Sequence, residues 1–399
     1  MSQVTFLNRH VCRTMEKETM TMEKVKTIVV VGGGYAGINL IAALSKEFLQ
    51  ENLKIILIDK NSYHFKKVKL FKAIVNESSA ALHTPLTNYC RQGVEFIQGE
   101  LMSNNHEVKQ VSIRTEDGTC VELEYDKLVI AIGSVVREVS EEQGGIALTN
   151  VQNAKRIRQH ILEEISSSKD PLRLAIVGGG ITGIETAMEI RAWLNDERKN
   201  EVELFLINHK QRLMTEAPSK ISEKLENRIT QQGIHVIQQK KAEQFVDKTL
   251  KFSDKTELEV DVCIWTLGLR PHPSLRELDL PLNEEGRIKV DSWYRIQERE
   301  NLYAIGDCVQ VTEDTCGKIS QMSCKEAISQ AQRLSKIIKA DCEGYNETPH
   351  QIYPDLLCIG LGPNDGFVWA KKWGIHFVLT GRLAERIREY TWNVGSLHQ

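Results

Sequence analysis

The sequence predicts an α/β protein with two Rossmann-like domains, the second inserted in the first, plus a C-terminal segment. Two observations carry this. A β-branched run, Val25-Lys26-Thr27-Ile28-Val29-Val30-Val31, opens directly into Gly32-Gly33-Gly34-Tyr35-Ala36-Gly37. The same passage recurs 146 residues later, where Leu172–Val177 leads into Gly178-Gly179-Gly180-Ile181-Thr182-Gly183. The chain has 399 residues, room for two or three domains at roughly 150 residues each.

The elements follow in order. Residues 1–23 hold four of the eight methionines and no apolar signal-type core, and they read as a flexible extension with Met22 near the start of the fold. After the first glycine turn, Ile38, Leu40, Ile41, Ala42, Leu44 and Leu49 predict a helix packed on a sheet. Lys54-Ile55-Ile56-Leu57-Ile58-Asp59 is the next strand and completes a βαβ unit. Val111 to Val121 predicts a hairpin turning at Asp117-Gly118. Tyr125-Asp126-Lys127 leads into a strand ending at Gly133-Ser134.

Ser166-Ser167-Ser168-Lys169-Asp170-Pro171 is a polar lead into the second unit. That unit continues with a helix over Ile184 to Leu194 and a strand over Glu201 to Ile207, and closes with Asp261–Gly268. Arg287 to Asp307 reads as two short strands and an acidic turn, and Glu326 to Lys339 as a helix. Residues 345–399 are a last segment with Trp369, Trp373 and Trp392.

Composition excludes several classes. Hydrophobic residues are 41% and charged residues 26%, ordinary for a globular chain, with a formal charge of −3. Near-neutrality argues against bulk nucleic-acid binding. The longest apolar run is about five residues, Leu128–Ile132, against the roughly 18 that a spanning helix needs. Nine cysteines, an odd number without a C-x-x-C, read as free thiols of a cytoplasmic protein. His64, His209, His235 and His376 are scattered and read as surface or packing residues, and nothing suggests a nucleophilic triad or a metal.

The chemistry starts at Gly32-x-Gly34-x-x-Gly37. The first glycine turns the chain, the second lets backbone approach a pyrophosphate, and the third lets helix pack on strand. The helix N-terminus then offers free N–H groups and a positive dipole end to phosphates. Asp59, 27 residues after Gly32, stands where an acid accepts from ribose hydroxyls. Gly178-x-Gly180-x-x-Gly183 is framed in the same way. Two such turns suggest one tightly bound flavin and one exchangeable nicotinamide. Gly306-Asp307 at a strand end is suited to a ribityl chain.

At the end of the second unit's strand stands Asn208, where an acid would repel a 2′-phosphate. Asn208 cannot repel it, and Lys210 and Arg212 could attract it, so NADH and NADPH should both serve. Leu383, Ile387 and Tyr390 fall at i, i+4 and i+7 beside Arg382, Arg386 and Arg388. That pattern predicts an amphipathic basic helix and weak contact with a membrane surface.

The chain resembles the two-dinucleotide-binding flavoproteins of the pyridine nucleotide-disulfide oxidoreductase fold. GGGYAG, Ala131-Ile132-Gly133, GGGITGIE, Trp265-Thr266-Leu267-Gly268 and AIGDC stand in that group's order across roughly residues 25–340. Tyr63-His64-Phe65 and Gly360-x-Gly362-x-Asn364-Asp365-Gly366 make it similar to type II NADH dehydrogenases and to apoptosis-inducing-factor-like ferroptosis suppressor oxidoreductases, rather than to thiol reductases.

The resemblance implies FAD at Gly32, Gly33, Gly34, Ala36, Gly37, Asp59, Lys60, Ala131, Gly133, Gly306 and Asp307. It implies NADH or NADPH at Gly178, Gly180, Thr182, Gly183, Asn208 and Gly268, and it puts Glu185 at the flavin–nicotinamide junction as the catalytic residue. The implied division is an FAD domain over 24–150 and 270–345, an NAD(P)H domain over 151–269, and an acceptor-side, membrane-contact segment over 346–399.

Three departures stand out. The first helix has no redox cysteine pair. The quinone-side glutamines of type II dehydrogenases are replaced by Lys325 and Ser329. The basic residue those families keep near the flavin has Arg388 as its nearest candidate.

The resulting expectation is a dehydrogenase that passes electrons from NAD(P)H through FAD to a quinone-type acceptor, in the cytoplasm or peripherally on the cytoplasmic face of a membrane. A reductase of a protein or small acceptor such as ferredoxin, and a low-turnover redox sensor, are the competing readings. The oligomeric state stays open, a homodimer included.

Overall fold

The computed structural model describes residues 26–49, 53–75, 82–91, 93–167, 171–196 and 202–397. The extension expected over residues 1–23, and Ser168-Lys169-Asp170 of the polar lead, lie outside the described residues.

The fold is α/β and is built on parallel sheets. Seven strands form the first, in the order Leu302–Ala304, Lys127–Ile130, Lys26–Val31, Leu53–Asp59, Val94–Asn105, Gln110–Thr115 and Cys120–Glu124. The first five run parallel and the last two antiparallel. The Gln110–Glu124 hairpin turns at Asp117-Gly118, where Asp117 Oδ1 accepts from Thr119 N at 3.0 Å and Gly118 takes a φ of 85°.

The helix Tyr35–Glu47 buries Ile38, Leu40, Ile41 and Leu44 against this sheet and packs beside the helix Cys324–Glu343. The expected helix ran from Ile38 to Leu49, and two of its apolar positions are corrected. Ala42 and Leu49 face solvent, and Phe48 closes the core instead. The stripe i, i+3, i+4 that contains Leu40, Ile41 and Leu44 returns to the sheet at Phe48, one residue before Leu49.

The second sheet is fully parallel: Ile146–Ala147, Val262–Trp265, Leu172–Val177, Val202–Ile207 and Ile234–Ile237. Both of its faces are covered, so its three central strands carry uninterrupted apolar stretches, Leu174–Val177, Leu204–Ile207 and Val262–Trp265. The helix Ile181–Asp196 starts three residues before the expected Ile184. The two connections between the sheets, Ser134–Val136 and Leu269–Pro271, pair antiparallel.

A third, antiparallel sheet follows: Leu356–Gly360, Gly366–Lys372 and Ile375–Thr380. Phe367 and Trp369 point from one face into the core of the second sheet. Val368 and Cys358 point from the other face toward Ala384 of the closing helix Arg382–Gly395. That helix is tied to both large units. Its Arg388 reaches Glu185, and Gly395 O accepts from Asn39 Nδ2 at 3.0 Å. Among the described residues no helix is long and apolar enough to cross a membrane.

Candidate cofactor and electron-transfer site

The two glycine turns share one geometry. A Cβ on Gly37 would lie 1.8 Å from Gly32 O, and one on Gly183 would lie 1.8 Å from Gly178 O. Gly32 has φ +115° and faces Ala131 O, and Gly178 has φ +134° and faces Thr266 O. These four positions admit no side chain. The middle glycines differ. A Cβ on Gly34 or Gly180 meets nothing within 4 Å, and the same holds at Gly133 and Gly268. Each turn therefore leaves open room directly over a helix N-terminus, as a bound pyrophosphate requires.

Around the first turn, Asp59 Oδ2 accepts from Gly33 N at 2.6 Å and Oδ1 from Asn61 N at 2.8 Å. Lys60 is exposed, with Nζ 3.4 Å from His272 Nε2. Ala36 is buried below Gly306, where an added Cβ would come within 3.0 Å of it. Gly306 has φ +84°, and its N–H donates to Gln330 Oε1 at 2.7 Å. Next to it, Asp307 accepts from Ser134 Oγ at 2.6 Å. Burial raises the Asp307 carboxyl above its ordinary range, opposed by the Ser134 bond and by the charge of Lys67. Lys67 donates to Ser134 O at 2.6 Å, and burial lowers its ammonium. This cradle of open glycines, a helix end and a donor-held carboxyl suits a flavin dinucleotide.

In the second unit Thr182 is exposed, and its carbonyl accepts from Thr186 Oγ1 at 2.7 Å. Gly268 O accepts from Arg137 N at 3.1 Å. The Asn208 side chain is buried. It folds onto its own loop, accepting from Lys210 N and donating to Lys210 O, both at 3.2 Å. Arg212 does not reach outward as expected. It donates to Thr215 O at 3.0 Å and Ala217 O at 2.7 Å, so of these two cations Lys210 is the exposed one, with its Nζ 3.4 Å from Glu216 Oε1.

Glu185 stands two residues after Gly183 and is buried. Its Oε1 accepts from Arg388 Nε at 2.7 Å and from Gly360 N at 2.8 Å, and its Oε2 accepts from Arg388 Nη2 at 3.0 Å. Arg388 is thus not part of a basic solvent face, and that expectation is corrected: it is the buried partner of Glu185. Below it, Trp392 carries Arg388, Lys69 and Lys72 over its ring at 4.8, 5.3 and 4.9 Å. Lys325 donates to Leu356 O at 3.3 Å and Cys358 Sγ at 3.4 Å.

Three residues beside the site escaped the reading of the sequence: Lys67, Ser134 and Gln330. His64 is a buried packing residue, as expected, but its Nδ1 lies 3.0 Å from Gly33 O, on the glycine turn itself. The signal available for Lys67 was its place in the basic run Lys66-Lys67-Val68-Lys69, eight residues past Asp59. Gln330 had no local signal.

The chain has relatives among known proteins. A demethylphylloquinone reductase of Synechocystis is 23% identical, with 92% of this chain and 92% of the relative covered. A type II NADH:quinone oxidoreductase of Haemophilus influenzae is 24% identical, with 79% and 80% covered. The structure of NDH2 from Plasmodium falciparum in complex with NADH superposes with a TM-score of 0.78 at 17% identity, over 92% of this chain and 94% of that one. The pattern of one family matches residues 26–332, across both glycine turns and the Gly306-Asp307 step, and the chain belongs to that family: pyridine nucleotide-disulphide oxidoreductase.

Proposed function

We propose that this protein is an FAD-dependent NAD(P)H dehydrogenase that delivers electrons to a quinone. The observation that carries the reading is the pair of matched glycine turns, one per parallel sheet, each with open room at its second glycine. The names of the Synechocystis and Haemophilus relatives, both quinone reductases, support the acceptor class.

Bound FAD would accept hydride from the nicotinamide and release electrons to the acceptor. The chain's own residues do the rest. Gly34 and the N–H groups at the start of the Tyr35–Glu47 helix hold the flavin pyrophosphate. Asp59 receives ribose hydroxyls, and Asp307 with Gly133 orients the middle of the cofactor. Gly180 and its helix hold the nicotinamide dinucleotide. Glu185 and Arg388 form a dry, charge-matched wall where the two units and the C-terminal helix meet. Lys325 in place of a glutamine changes the acceptor side, so ferredoxin belongs among the acceptors tried. Work at a membrane surface, through residues 346–399, completes the reading.

The test uses the purified full chain. It should be yellow, should release FAD on denaturation, and should oxidise NADH with a short-chain quinone. Reduction of ferredoxin but of no quinone would move the acceptor to a protein.

A further inference from the structure

The hairpin of the third sheet ends in an unusual tip. Lys372 pairs with Ile375, so Trp373-Gly374 is a two-residue turn with φ of 52° and 79°. Positive φ suits Gly374 and disfavours a tryptophan. Trp373 nevertheless occupies the position and is 85% exposed. Ile375 and Phe377, 57% and 53% exposed, alternate with His376 and share a face with Leu379. Leu379 packs into the small core with Val368, Ala384 and Ile387, so the exposed pair continues that face beyond the helix. The opposite face is already occupied: Trp369 stacks on His376 and turns to the second sheet's core.

Charge completes the pattern. Lys371 and Lys372 are exposed at the tip, with Lys372 Nζ 4.4 Å over the Trp373 ring. Arg382 and Arg386 are exposed on the adjoining helix, beside the exposed Leu383 and Tyr390. Only Glu385 and Glu389 oppose these four cations within residues 371–390, whereas the whole chain is at −3. An aromatic and apolar tip between cations matches the interface of a bilayer carrying anionic headgroups. Two copies tip to tip would set Lys371 and Lys372 against the same residues.

We propose that this hairpin tip, more than the C-terminal helix, seats the protein in the surface of an anionic phospholipid bilayer. The proposal rests on the quinone reading, because a lipid-dissolved quinone would then arrive beside the helix whose inner face carries Arg388 to Glu185.

The test compares full-length flavin-loaded protein with the variant Trp373→Asn, Phe377→Thr. Asn tolerates positive φ and Thr suits a strand, so the variant should fold. The wild type should sediment with vesicles of phosphatidylcholine mixed with phosphatidylglycerol, less so in high salt, and hardly with phosphatidylcholine alone. The variant should lose at least about tenfold in partitioning while keeping its flavin and its reduction of a water-soluble quinone. The proposal falls if the wild type ignores both vesicles, if the variant binds as the wild type does, or if the variant only converts a dimer to a monomer. A chain that reduces soluble quinone yet ignores vesicles fails here alone. A chain that binds vesicles but reduces no quinone fails in the function proposed above.

Discussion

Arg388 lays its guanidinium along the carboxylate of Glu185 in a bidentate contact of 2.7 and 3.0 Å, across 203 residues of sequence, with both side chains buried. Fork-to-carboxylate bonding of this kind is strong and geometrically specific. It costs desolvation on both sides, so its value lies in fixing the C-terminal helix to the second unit as much as in stability.

Glu185→Gln should therefore act at two levels. The amide keeps Gly360 N bonded but leaves a buried guanidinium uncompensated, and loss of one partner of a buried pair costs up to about 3–5 kcal/mol. The melting temperature should fall. Quinone turnover should fall about tenfold or more, within the range of lost acid–base or charge assistance, while the flavin stays bound. Glu185→Leu with Arg388→Met should recover the melting temperature and not the turnover. Recovery of both would reduce the pair to scaffolding.

Two glycines of one turn should behave in opposite ways. Gly34→Val adds its side chain into open room and should fold, but should purify colourless because the pyrophosphate's approach is blocked. Gly37→Ala drives a methyl into Gly32 O and should lose about 3 kcal/mol or be insoluble. Flavin absorbance per protein and thermal melts separate the outcomes; full flavin in Gly34→Val would remove the first turn from the cofactor site.

NADPH should serve within about tenfold of NADH, or ~1.4 kcal/mol. Asn208 carries no charge to repel a 2′-phosphate, and with Arg212 engaged internally Lys210 alone attracts one. Lys210→Glu should raise the NADPH-to-NADH ratio of KM by about two- to fivefold, the scale of an exposed ion pair. A thousandfold preference for NADH in the wild type would show that another residue rejects the phosphate.

Stability should fall on mild acidification. His350 is buried against Tyr294, whose hydroxyl lies 2.9 Å from Nδ1, and burial with the nearby Arg333 charge holds it down from 6.5 to about 4. The unfolded chain then binds the extra proton first. The stabilisation is complete above pH 6.5 and is lost as pH falls toward 4, on the order of 2 kcal/mol. Glu326, pushed up by burial, works in the opposite sense near the lower end. Melts from pH 7 to 5 should show a slope that His350→Gln flattens; an unchanged slope would assign it to other groups.

Much of this protein was legible in its sequence because its decisive signals are local. The glycine turns, the strands before them and the Asp117-Gly118 hairpin each rest on a handful of adjacent residues. The helix starts were misplaced by three residues because Tyr35 and Ile181 sit inside the glycine motifs, where turn and first helical turn overlap. The Arg388–Glu185 pair and the Gln330–Gly306 bond were not legible, since only the tertiary fold brings residues 203 and 24 positions apart together. The basic stripe around Arg388 misled for the same reason: periodicity gives a helix its faces but not which face is covered.

The most direct measurement is anaerobic stopped-flow of the flavin-loaded protein in two half-reactions. NADH, and NADPH within about tenfold, should bleach the visible flavin band, and a short-chain quinone should then restore it, both steps at least as fast as steady-state turnover. A flavin that neither nucleotide bleaches, or that stays reduced in the presence of quinone, would contradict the proposed function.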